Sequence, residues 1–84
     1  MVIDAMQIRA ARALLEWSQS ELVTRSGLSL TTIRRMEDSA IGPSRSAAAN
    51  VETVRRILEE AGIQFIPENG GGPGVRLASP KSRE

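Results

Sequence analysis

The stretch from Gln19 to Glu37, QSELVTRSGLSLTTIRRME, decides the fold of this chain. Gly27 divides it, and glycine both tolerates a positive φ and commonly ends helices. The spacing predicts a helix over 19–26 and a turn at Gly27. Ser18, followed three residues later by Glu21, fits a capping box at the start of that helix. Leu22, Val23 and Ser26 fall on its inner side, and Leu28 is expected to plug the core at the turn. Ser29 has the chemistry of an N-cap for a further helix over 30–38. Ile33 and Met36, three apart, supply its buried side. The outer side then carries Thr31, Thr32, Arg34 and Arg35, which are short hydroxyls and paired guanidiniums.

Working outward, residues 4–16 hold good helix formers without Gly or Pro. Ile8, Ala11 and Leu15 recur at helical spacing, Leu14 adds to that side, and Asp4 suits the N-terminal dipole. Beyond the central stretch, residues 39–47 read as a loop turning at Gly42-Pro43. A fourth helix follows, with Asn50 as its cap and some helix extending back through the alanines at 47–49. Val51, Val54, Leu58 and Ala61 share one face with Ile57 beside it, and Gly62 closes the helix. Glu52–Arg56 and Arg55–Glu59 are four-apart pairs on the other side. The character then changes: Ile63–Ile66 is β-prone, PENGGGPG is turn material, and Val75–Leu77 alternates, which predicts an antiparallel hairpin. Two isolated strands are marginal in water, so they need a helical body or a partner's strands to lean on. Three segments result: a helical domain over 1–62, a hairpin over 63–78 and a disordered tail over 79–84.

Composition narrows the chemistry. The 84 residues suffice for one small core, marginal enough that a dimer or a very compact bundle is expected. Cysteine and histidine are both absent, which removes disulfides, thiol nucleophiles, the commonest metal ligand and the commonest general base. Glu59 and Glu60 are adjacent and point apart on a helix, a poor acid–base pair. An enzyme is therefore not expected, nor a metal, nor a cofactor. Residues 1–12 hold no run of signal-peptide length and nothing approaches a membrane span, so a cytoplasmic location is the expectation. Net charge is only +1, a caution against nucleic-acid binding, although ten of the eleven cations are arginine. Arginine forks match phosphates and guanine edges, and a GC-rich coding bias would produce the same ratio. NGGGPG lacks the Lys-Ser/Thr ending of a phosphate-cradling loop and reads as a hairpin turn.

A helix that reads a DNA groove must bury one face, present base-reaching side chains on the other, and start near phosphates. The third helix meets these needs. From Arg12 to Glu37 the sequence resembles, without gaps, the Cro/phage-repressor (XRE-like) family of helix-turn-helix regulators. The resemblance is carried by Gln19, Leu22, Gly27, Ile33 and the Met36-Glu37 pair, and the helix order extends it over about residues 4–62. It implies a mainly α, lambda-repressor-like fold of four helices, here followed by the β-hairpin. It also implies base contacts from Leu30, Thr31, Arg34 and Arg35, and phosphate contacts from Gln19, Ser29, Thr32, Ser44 and Arg45. An ion pair of Arg12 with Glu37 is implied as well, orienting the third helix. Leu30 stands where the family usually has a polar residue, the 38–50 loop is longer, and the hairpin replaces the usual fifth helix.

The expected function is that of a sequence-specific regulator of transcription, bound to double-stranded DNA as a homodimer, nucleoid-associated, and used as a repressor. Ile63, Phe65, Val75 and Leu77 on the hairpin are the expected dimer surface, against the plainer role of covering helix four. A second reading is an antitoxin-like protein that holds a partner protein through its C-terminal segment and regulates itself by binding DNA. A third keeps the fold and turns helix three toward protein, leaving Arg34 and Arg35 merely solvated. Trp17 is read as closing the bottom of the core rather than stacking on a base.

Overall fold

A computed structural model describes residues 1–78, and the tail expected at 79–84 lies outside the described residues. Four α-helices and one antiparallel hairpin follow one another: α1 Ala5–Leu15, α2 Gln19–Ser26, α3 Leu30–Glu37, a 3-10 turn η1 Pro43–Arg45, α4 Ala48–Glu60, β1 Ile63–Ile66 and β2 Gly74–Leu77. Local chemistry sets most boundaries. Asp4 accepts the Gln7 amide while the Gln7 side chain accepts the Asp4 amide, closing a capping box. Ser18 accepts from Glu21 N and Ser29 from Thr32 N, so both serines cap, but the box expected at Ser18 is only half formed because the Glu21 carboxylate takes Arg25 instead. Gly27 ends α2 at φ 73°, a conformation costly for any residue with a Cβ. Leu28 and Ser29 complete a short turn into α3.

Two boundaries differ from expectation. The third helix stops at Glu37, because Asp38 is extended and its carboxylate takes the Ala40 amide. The Asp38 carbonyl then accepts from Ile41 and Gly42, so the following loop is locally hydrogen-bonded. The fourth helix starts at Ala48 with Ala47 as its cap and no side-chain cap bond. Asn50 is inside the helix rather than capping it, since its amide already donates to the Ala47 carbonyl. The alanines win here because alanine has the highest helix propensity. On the exposed side of α4, Glu52 turns to Arg55 at 2.8 Å instead of the expected Arg56, which approaches Glu60 at 3.6 Å.

The core gathers Ile8 and Ala11 from α1, Leu22 from α2, Ile33 and Met36 from α3, and Val54 and Leu58 from α4. Ile3 from the N-terminal segment and Ile63 and Phe65 from β1 complete it, with Trp17, Leu28 and Val75 packed at its edge. Trp17 thus closes the core as expected, and the Arg25 guanidinium lies 4.3 Å over its ring. This burial changes the reading of the hairpin. Ile63 and Phe65 are only 2% and 7% exposed, so they serve the protomer's own core and offer no dimer surface. Of the four hairpin residues, Val75 is half-buried and Leu77 alone stands exposed.

Gln7 fastens the hairpin to the helices. Its Nε2 donates to the carbonyls of Ile66 at 3.2 Å and Gly74 at 3.0 Å, the pair facing each other across the two strands. Arg9 and Arg12 lie about 160° and 140° round α1 from Gln7, at about 100° per residue. Both reach Glu37 at the end of α3. Helix α1 therefore stands between the hairpin on one face and the C-terminus of α3 on the other. Replacing Gln7 with leucine removes the donor that ties strands to helix and should cost about 1–3 kcal/mol. Urea denaturation measures that loss, and amide exchange should localise it to the strands before α2 and α3.

Candidate nucleic-acid interface

Helix α3 is built to present one side. Ile33, Met36 and Glu37 are buried, whereas Thr31, Arg34 and Arg35 are exposed, and Leu30 and Thr32 are intermediate. Positions 31, 34 and 35 are three and four apart, so they share a helix face. The Ser29 hydroxyl accepts the Thr32 amide at 3.1 Å and donates to Thr32 Oγ1 at 2.9 Å, so these two expected phosphate ligands are already bonded to each other. The Thr32 hydroxyl keeps its own proton for a further acceptor. The 3-10 turn packs on α3 and carries Ser44 and Arg45, both exposed, which brings the expected loop ligands beside the same helix.

Behind α3 stands a network centred on Glu37, whose side chain is 2% exposed. Arg12 grips it with two prongs, Nε to Oε2 at 2.7 Å and Nη2 to Oε1 at 2.8 Å. The third arm of Arg12 donates to the Trp17 carbonyl at 2.9 Å. Glu16, the residue before Trp17, leaves α1 at φ 58°. Arg9 donates to the Glu37 main-chain carbonyl and to Ser39 Oγ at 3.3 Å, closing the end of α3. The Arg12 guanidinium is pushed above the ordinary arginine range, mainly by its hydrogen bonds to Glu37, with burial opposing. It therefore stays charged at any ordinary pH. The ion pair expected from the resemblance thus exists in its buried, bidentate form.

Gln19 belongs to the same network. Its Nε2 donates to Glu37 Oε1 at 2.9 Å, which ties the start of α2 to the end of α3. One amide hydrogen and the amide oxygen are left for any outside ligand. Arg9 and Gln7 escaped the sequence reading, because each is an ordinary helix former on a helix whose partners lie far along the chain.

The distribution of arginine partners is the most telling electrostatic feature. Arg12, Arg25, Arg55 and Arg56 pair with carboxylates. Arg9 and Arg76 are held by a carbonyl and by Gln64. Among the described residues only Arg34, Arg35 and Arg45 have neither an ion pair nor a side-chain hydrogen bond, and these sit on α3 and the adjoining η1. The small net charge hides a local surplus: four of the other described arginines pair with carboxylates, whereas those on α3 and η1 do not. No group of carboxylates among the described residues is arranged to hold a metal ion.

No protein-family model matches the sequence, and no curated protein is significantly similar to it.

Proposed function

We propose that the protein is a sequence-specific regulator of transcription that binds double-stranded DNA through a helix-turn-helix formed by α2 and α3. The single observation that carries this reading is the unpaired trio of Arg34 and Arg35, on the exposed side of a helix whose other side is locked down, and Arg45, on the 3-10 turn packed against that helix. In this reading α3 enters the major groove. Arg35 takes guanine O6 and N7 with its two prongs, Thr31 and Leu30 pack on thymine methyls, and Arg34 reaches a neighbouring base or phosphate. Phosphates are held by Ser44, Arg45, Thr32 and the free hydrogen of Gln19. Two copies would occupy a two-fold symmetric operator and act by occupancy, as a repressor in the cytoplasm. No helix among the described residues is long and apolar enough to cross a membrane.

Phosphate neutralisation releases counterions, so the affinity for duplex DNA should fall linearly on logarithmic axes as salt rises. Each phosphate neutralised contributes about −0.9 to that slope. Fluorescence anisotropy with a labelled duplex across a salt series measures it. A flat profile would argue that α3 binds something other than nucleic acid.

One observation favours the partner-binding variant of the same reading. The hairpin lies on the opposite side of α1 from α3, and Leu77 there is 47% exposed. A protein held at the hairpin would leave the DNA face free, as an autoregulating antitoxin-like protein requires. Co-purification of a second small protein from the native host tests that variant.

A further inference from the structure

The chain has two asparagines, Asn50 and Asn69, and the fold treats them in opposite ways. Asparagine is thermally labile, because the main-chain nitrogen of the next residue can attack its carboxamide. Asn50 lies within α4, where the next nitrogen, that of Val51, donates to the Ala47 carbonyl at 3.1 Å. The helical hydrogen bond engages that nitrogen, and the β-branched Val51 side chain crowds it.

Asn69 stands at the tip of the hairpin, in the PENGGGPG turn. Residues 67–73 are all exposed. The next nitrogen there is that of Gly70, at φ 103°, with open space where a side chain would stand. Among the described residues, neither the Gly70 amide nor the Asn69 carboxamide makes a hydrogen bond. A nucleophile and an electrophile are thus adjacent, with no side chain to shield them and the backbone freedom of glycine between them.

We infer that Asn69 is a site of self-modification: it deamidates through attack by the Gly70 nitrogen, with water as the only co-reactant. The Gly70 amide gives its proton to solvent base, and its nitrogen bonds to Asn69 Cγ. The bond from Cγ to Nδ2 breaks, and ammonia leaves with a proton from solvent, closing a cyclic imide. Water then adds to one of the two imide carbonyls and breaks its bond to nitrogen. Opening at Cγ gives aspartate, and opening at the main-chain carbonyl gives isoaspartate. Nothing is oxidised or reduced. Either product is a carboxylate, ionised at neutral pH. The reaction therefore cancels the formal net charge of +1 and sets a second negative group beside Glu68. The strands keep their register, because Gln7 binds the Ile66 and Gly74 carbonyls below the turn.

The test needs no DNA and does not depend on the proposed function. The full chain, held at mildly alkaline pH and resolved by ion exchange, should show one acidic form growing in at a rate independent of protein concentration. Trypsin separates the two asparagines, since cuts after Arg45, Arg55, Arg56 and Arg76 put Asn50 in 46–55 and Asn69 in 57–76. Fragmentation in the mass spectrometer should place the change at Asn69, and an isoaspartyl methyltransferase should label that peptide alone. The rate should be nearly the same for the folded chain and in urea, because the turn imposes no restraint. Gly70→Ala should slow it several-fold in both conditions, so the result does not depend on how the variant folds. An Asn69 that deamidates in urea but is protected in the folded chain, a change that maps to Asn50, or a Gly70→Ala chain that reacts as fast as wild type would each overturn the inference.

Discussion

Replacing Arg12 with alanine should destabilise the protein by about 3–5 kcal/mol, the cost of leaving a buried carboxylate without its counter-ion. A domain of this size has roughly 4–13 kcal/mol in total, at about 0.05–0.15 kcal/mol per residue, so the variant should be close to unfolding. Three bonds disappear together: two to the Glu37 carboxylate and one to the Trp17 carbonyl. The Gln19 amide remains on Oε1 but cannot neutralise the charge. Arg12→Lys should recover only part of the loss, because an ammonium is a point charge without a planar fork. Replacing both partners by leucine should be far milder than Arg12→Ala, since no charge is then stranded. The sign of the pH dependence follows from the shift. The Arg12 pKa is raised in the fold, so its contribution is complete below the ordinary arginine value and is lost only as pH rises through the higher folded value. The arginine's contribution should therefore be constant through neutral and moderately alkaline pH. Chemical denaturation of the single and double variants measures all of this. A loss under about 1 kcal/mol for Arg12→Ala would mean that the pair behaves like an exposed one.

Exchanging Arg34 and Arg35 together for alanine should abolish selective DNA binding and leave the fold intact. Both side chains are exposed and make no ion pair or side-chain hydrogen bond to a described residue, so stability should move by no more than about 0.5 kcal/mol. Binding should suffer far more. A two-pronged arginine–guanine contact supplies about 1–3 kcal/mol of discrimination, about a five- to 150-fold effect for that contact. The single variants separate the roles. Arg35→Ala should relax the preference at one base position. An Arg34 that contacts phosphate should, when removed, weaken all sequences alike and reduce the salt slope by about one. Competition binding against operator and random duplexes distinguishes the two patterns. Unchanged selectivity in the double variant would remove the trio of free arginines as the basis of recognition.

What was legible in the sequence was local. Ser18, Ser29 and Gly27 act within three residues of themselves, so their capping roles could be read directly. The buried faces of α3 and α4 follow from helical spacing, as do Ile8 and Ala11 of α1, whereas Leu14, read onto that same side, is exposed. Long-range bonds were not legible in the same way. Arg12 and Glu37 are 25 positions apart and were linked only through the family resemblance. Gln7 meets the hairpin 59 and 67 positions away, and nothing in the first turn of a helix announces that. The hairpin shows the sharper failure. Alternation placed Ile63, Phe65, Val75 and Leu77 on one face correctly, but alternation cannot say whether that face meets its own helices or a partner. The packing turns Ile63 and Phe65 inward. Conversely, the exposed Val2 and Met6 drew no notice, since an apolar residue becomes informative only when its surroundings leave it bare.

The most direct test of the central claim is selection of bound fragments from random duplex DNA by the full chain, followed by sequencing. The expected result is an enriched motif with two-fold symmetry, its half-sites centred about one turn, roughly 34 Å, apart. Each half-site should contain a guanine whose enrichment disappears when the selection is repeated with Arg35→Ala. A pool that gains no motif after repeated rounds, or a motif indifferent to Arg34 and Arg35, would contradict the reading of α3 as a recognition helix.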